Sequence, residues 1–184
     1  MTYLLVVPHG LHAVETWSGN LSISKQTYDF EFNAIINADA RAALKILKNH
    51  DELHRINENV VHSRILENLG ENKLRRIVRV KRCLLGYCFR LLFHEEIHEK
   101  MFSITTKIIP GRSTFLAGET VWKVKQQEGS RCEISIHGSH TPNFWIPPFI
   151  GEIILKQVFL SEMRETTSQI EKMAARSTKK IDNL

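Results

Sequence analysis

The chain has 184 residues, 42% of them hydrophobic, enough to bury one sizeable core and too apolar for a mostly disordered polymer. No run of about 18 apolar residues occurs, so no segment reads as a membrane-spanning helix. The net charge of +5 permits an anionic partner such as a phospholipid surface. The basic residues are scattered rather than clustered, which reads as a solvated face, and nucleic acid is not expected.

The N-terminus is ambiguous. Tyr3-Leu4-Leu5-Val6-Val7 is too short for the apolar region of a signal peptide and lacks a basic stretch before it. Yet Gly10-Leu11-His12-Ala13 before Val14-Glu15 has the small-residue end of such a segment. Residues 1–19 are therefore read as an extension, either a loose lead or the remnant of a signal peptide that starts upstream. On that second reading export to the periplasm is favoured over the cytoplasm.

From Asn20 to Asn37 the sequence predicts a strand, because Tyr28, Phe30 and Phe32 alternate with Asp29, Glu31 and Asn33 at the period of a half-buried strand. Asp39 is a helix N-cap for Ala40 to Leu47. A second short helical turn, Asp51–Ile56, follows the Asn49-His50 break. A long antiparallel meander comes next, with strands near Val60–Leu69, Lys73–Leu84, Cys88–Glu99, Phe102–Pro110, Phe115–Gln127 and Arg131–His140. Turn residues separate them: Gly70-Glu71-Asn72, Gly86, Glu99-Lys100, Pro110-Gly111 and Glu128-Gly129.

The stretch from Thr141 to Gly151, with Phe144, Trp145, Pro147, Pro148 and Phe149, joins this meander to a different period. Prolines cannot extend a sheet ladder but suit the start of a helix. Ile150, Ile153, Ile154, Val158, Leu160, Met163, Ile170 and Met173 then recur at about 3.6 residues, predicting one helix over residues 148–175, about 40 Å long at ~1.5 Å per residue. It must lie across the sheet to bury its apolar face. One α+β domain follows, over residues 20–176, with a basic tail at 177–184.

Several segments resemble one known family. They are Phe32 to Leu47, Asn57 to Leu66, Cys83-x4-Cys88, Ile109-Pro110-Gly111 to Trp122, and Asn143 to Gly151. In order and spacing the chain resembles the START-like superfamily, often called SRPBCC, and within it the bacterial polyketide cyclase/dehydrase branch. The resemblance implies a helix-grip fold: a curved antiparallel sheet wrapped around a long C-terminal helix, with a deep apolar cavity between them. It also implies a lipid, sterol, quinone or polyketide as the bound molecule. No cofactor is expected.

The chemistry-bearing motifs are few. His94-Glu95-Glu96-Ile97-His98 spells the HExxH string of zinc peptidases, which needs a helix to bring both histidines to one ion. Its neighbours are β-rich, and on a strand residues four apart sit roughly 13 Å apart, too far to chelate. No metal site is read there. No Gly-x-Ser-x-Gly elbow or phosphate-binding glycine loop occurs. Cys83 and Cys88 bracket a four-residue hairpin loop, Leu84 to Tyr87. If they oppose each other they fall within disulfide range; two free thiols are the other reading.

Trp122 is either a core or a cavity-lining residue, and Trp145 and Phe149 sit at a cavity mouth or anchor the helix. Ile153 and Val158 lie where the helix is apolar over more than the ~100° stripe that one sheet face requires. Arg76 and Arg82 share the apolar face of Leu74, Val78 and Val80. Each needs a carboxylate partner such as Glu95 or Glu119, or the polar end of a ligand. The ligand-binding expectation therefore names Trp122, Trp145, Phe149, Ile153, Val158, Arg76 and Arg82. No convergent acid–base pair is legible, so carriage of a hydrophobic small molecule ranks above a cyclase or aromatase activity, and above an interaction module with a filled core.

Overall fold

A computed structural model describes residues 16–84, 87–146 and 150–181. In chain order its elements are β1 (Thr16–Ser24), β2 (Thr27–Ile36), α1 (Ala40–Leu47), a 3-10 turn (Leu53–Arg55), β3 (Val60–Gly70), β4 (Lys73–Leu84), β5 (Tyr87–Glu99), β6 (Ser103–Ile108), β7 (Phe115–Gln126), β8 (Cys132–Pro142) and α2 (Ile150–Ile181). The strands form one eight-stranded antiparallel sheet in the order β1-β2-β8-β7-β6-β5-β4-β3. It is curved and unclosed, and α2 lies in its concavity.

Alternation decides which side chains enter the concavity. Phe30, Phe32, Ala34 and Ile36 of β2 pair with Gly138, Ile136, Ile134 and Cys132 of β8, and all but the half-buried Gly138 belong to the buried layer. Ala43, Leu44 and Leu47 of α1 and Ile170 and Ala174 of α2 close the same core. Asp39 caps α1: its carboxylate accepts hydrogen bonds from the backbone N–H of Arg41 at 2.8 Å and Ala42 at 3.3 Å, satisfying two of the donors a helix start leaves free.

Two boundaries differ from expectation. The first strand is a hairpin of β1 and β2, turning at Lys25 and Gln26, both with positive φ (47° and 69°). That pair of left-handed residues is a primed two-residue turn, and Lys-Gln carries none of the Asn-Gly signal that would have marked it. β1 therefore begins at Thr16, inside the stretch expected as an extension, and α2 runs to Ile181, inside the expected tail. Residues 1–15, 85–86, 147–149 (Pro147, Pro148 and Phe149) and 182–184 lie outside the described residues.

α2 packs mainly against β1, β2 and α1. It leans to one side of the grip, and the inner face of β4 to β6 is left without a helix over it. This asymmetry creates the space described next.

Candidate ligand cavity

A cavity of about 320 Å³ lies between the sheet and α2. Its apolar wall combines Leu21, Phe30, Val78, Val80, Leu91, Phe93, Trp122 and Ile136 of the sheet with Leu155, Val158, Phe159 and Met163 of α2. A smaller space of about 120 Å³ adjoins it behind Arg76, Trp122 and Met163, reaching Leu47 and Ile56. Leu155, Phe159 and Met163 also pack on the core cluster, so the helix's wide apolar stripe serves two neighbours, core and cavity.

The expected site residues separate into groups. Trp122, Val158, Arg76 and Arg82 line the cavity. Trp145 is 69% exposed and Ile153 61% exposed, and neither lines it. Ile153 projects from the first turns of α2 away from the leaning face, and Trp145 sits on the connection outside the sheet. Phe149 lies outside the described residues.

Both arginines find carboxylates. Arg76 is buried and its Nε donates to Glu95 Oε2 at 2.8 Å, a contact the register sets by placing Arg76 directly opposite Glu95 across β4 and β5. Arg76 Nη1 donates to His50 Nδ1 at 2.7 Å. A guanidinium cannot accept, so His50 Nδ1 carries no proton, and its Nε2–H donates to Glu99 Oε1 at 2.8 Å. Burial and the Arg76 charge push the His50 pKa down to about 4, against the opposing pull of Glu99 and Glu95. Arg82 Nη1 sits 2.6 Å from Glu162 Oε1 on α2. The same carboxylate accepts from Asn57 and Asn59, each at 2.9 Å. Glu162 thereby ties the leaning helix to β4 and to the segment before β3, across the cavity.

A second polar cluster was missed by sequence reasoning. His140 is buried, with Nδ1 3.2 Å from the Tyr28 hydroxyl and Nε2 3.1 Å from the Thr120 hydroxyl. Phe30, Phe93 and Phe115 surround its ring, and burial lowers its pKa to about 4. Gly118 makes room for it, since a Cβ there would collide with the imidazole. Burial also raises the Tyr28 phenol above its ordinary value, so the cluster is uncharged at neutral pH. The strand period held the signal: Ile134, Ile136 and His140 share one face of β8.

The HExxH string lies in β5, not on a helix. Glu95 points into the grip while His94 and His98, offset from it by odd steps, occupy the outer face. Burial and then the charges of Arg112 and Arg79 lower the His94 pKa. Among the described residues no group of three or more His, Cys, Asp or Glu is arranged to hold a metal. Cys132 is buried and its thiol is pushed up to about 12, mainly by burial, which makes it a poor nucleophile. Cys83 and Cys88 pair directly across β4 and β5 and their sulfurs are joined in a disulfide. The ladder continues to Leu84 and Tyr87, so the hairpin connection is shorter than the four residues expected.

No protein-family model and no curated protein matches the chain by sequence. Solved structures do. The Zhui aromatase/cyclase from Streptomyces sp. R1128 superposes with a TM-score of 0.67 at 12% identity, over 83% of this chain and 96% of that one. Human StAR-related lipid transfer protein 5 gives 0.65 at 8% identity, over 91% and 86%. A START superfamily protein from Mycobacterium smegmatis gives 0.63 at 10% identity, over 80% and 97%. At such identities the likeness shows the fold. The chain has the START-like, or SRPBCC, helix-grip fold, which lipid-transfer proteins and polyketide aromatase/cyclases share.

Proposed function

We propose that the protein binds and carries a hydrophobic small molecule, lipid-, quinone- or polyketide-like, in the cavity between the sheet and α2. The observation that carries this reading is the 320 Å³ space with its largely apolar wall, within the ~300–1,000 Å³ range of ligand sites. Filling it replaces water against apolar surface at about 25 cal/mol per Å². Lipid-transfer proteins among the structural neighbours support it. Addition of lipids, sterols, quinones and aromatic polyketides should quench Trp122 fluorescence and raise the melting temperature with the logarithm of ligand concentration. A panel that changes neither would end the carrier reading and favour a protein-interaction role.

A cyclase or aromatase activity is the second reading, favoured by the polar groups of Tyr28, Thr120 and His140 in the cavity wall and by aromatase/cyclases among the neighbours. It ranks second because a general base works best with a pKa near the operating pH, and both buried histidines lie near 4. Mass analysis of a linear poly-β-ketone thioester incubated with the protein separates the two: a cyclised product supports the enzyme, unchanged substrate the carrier. For exchange, an anionic membrane surface is the proposed partner, supported by the net charge of +5 and by exposed Phe144, Trp145 and Ile153 near the start of α2. Co-sedimentation with phosphatidylserine vesicles, and none with phosphatidylcholine, tests it.

A further inference from the structure

We infer that the cavity selects an uncharged ligand whose polar end is a hydrogen-bond acceptor, such as a ketone, ester or quinone oxygen, received by the hydroxyls of Tyr28 and Thr120. This deepens the carrier reading and rests on it.

Charge balance supplies the first half. The wall holds Arg76, Arg82, Glu95 and Glu162, and each arginine is already ion-paired with one of these carboxylates, at 2.8 Å and 2.6 Å. The charges cancel, and the partners are further engaged: Arg76 by His50 and Glu162 by Asn57 and Asn59. A ligand carboxylate entering this space sheds its hydration and, although the buried Nε of Arg82 has no partner, meets no cation free of a carboxylate. To gain one it must strip an arginine from its carboxylate and leave that carboxylate buried and unpaired. An ammonium group meets the mirror-image obstacle.

Proton counting supplies the second half. Tyr28, His140 and Thr120 form a row of three groups joined by two hydrogen bonds. With a neutral imidazole each member brings one hydrogen, and two are used within the row. If His140 carries its proton on Nε2, that proton goes to Thr120, Tyr28 donates to Nδ1, and the Thr120 hydroxyl hydrogen is left over. If the proton is on Nδ1 it goes to Tyr28, Thr120 donates to Nε2, and the phenolic hydrogen is left over. Either tautomer leaves one hydroxyl donor at an end of the row, and both end residues line the cavity. Such a donor is satisfied by an acceptor oxygen and gains nothing from a second donor.

The test is displacement of Nile red from the full chain at pH 7 by four chain-matched molecules: methyl octyl ketone, decane, decanoate and decylammonium. The expected result is that the ketone competes about tenfold more strongly than either ion and several-fold more strongly than decane. In a Tyr28→Phe, Thr120→Val double variant the ketone should lose its advantage over decane while decane competes as before. Decanoate matching the ketone overturns the charge selection, and a ketone no better than decane overturns the hydroxyl site. These arms use the unaltered protein, so they decide even if the variant does not fold. If Nile red binds but no member of the series displaces it, or Nile red itself fails to bind, the carrier reading falls and this inference with it; a decanoate preference overturns the inference alone.

Discussion

Burial holds His50 and His140 neutral, with pKa values lowered from 6.5 to about 4. Unfolded, each takes up a proton as the pH falls through about 6.5; folded, each resists until about 4. The unfolded chain therefore binds more protons in that window, so their stability contribution is full above about pH 6.5 and is lost as the pH falls toward 4. The melting temperature should fall steeply across that window, and less steeply in a His140→Gln variant. A flat profile in the unaltered protein would show that neither histidine is held neutral. Val158 lines the cavity from α2, and Val158→Trp should fill part of it, weakening apolar ligand binding about tenfold or more with an unchanged circular dichroism spectrum. Ligand quenching should vanish in Trp122→Phe, because Trp145 stands outside the cavity wall and Trp17 is absent from it.

Among the elements, α2 is the one whose position defines the cavity, and Glu162 is its tie to the far side. Removing that carboxylate strands the Arg82 guanidinium and frees Asn57 and Asn59. Glu162→Ala should cost roughly 2–3 kcal/mol, a fall in melting temperature of about 5–10 °C for a chain of this size; a loss within 1 °C would mean the tie is ornamental. The β4–β5 hairpin carries the cysteine pair. In protein isolated from its native compartment without reductant, one thiol should label, and only after unfolding, because Cys132 is buried. Three labelled thiols would place the chain in a reducing compartment. The meander was legible because period-two patterning and glycine turns mark it from Val60 onward. The β1–β2 hairpin was not, since Lys25 and Gln26 take a left-handed turn without glycine or asparagine. Arg76 and Arg82 were legible as inward-facing from β4 alone. Asn57 and Glu162, 105 positions apart, were not, because only the docking of α2 brings them together. Trp145 and Ile153 were misplaced for the same reason: apolar character near a junction says nothing about which way the helix leans.

At the scale of the whole molecule, an open eight-stranded sheet and one long helix cannot bury each other completely. The helix sits on β1, β2 and α1, and the uncovered half of the concavity remains as space. Besides its apolar residues, the inner face of β4 to β6 carries Arg76, Glu95 and Thr106. These polar groups are satisfied among themselves or open to the cavity, which is how a solvent-poor wall tolerates them. The central claim is that this space holds a hydrophobic small molecule. Native mass spectrometry of the protein purified from its own organism, followed by organic extraction, addresses it most directly. The expected result is a one-to-one adduct of an apolar molecule, present in the unaltered chain and absent in Val158→Trp. A bare mass in both proteins, unshifted after incubation with lipids, sterols, quinones and aromatic polyketides, would contradict the account.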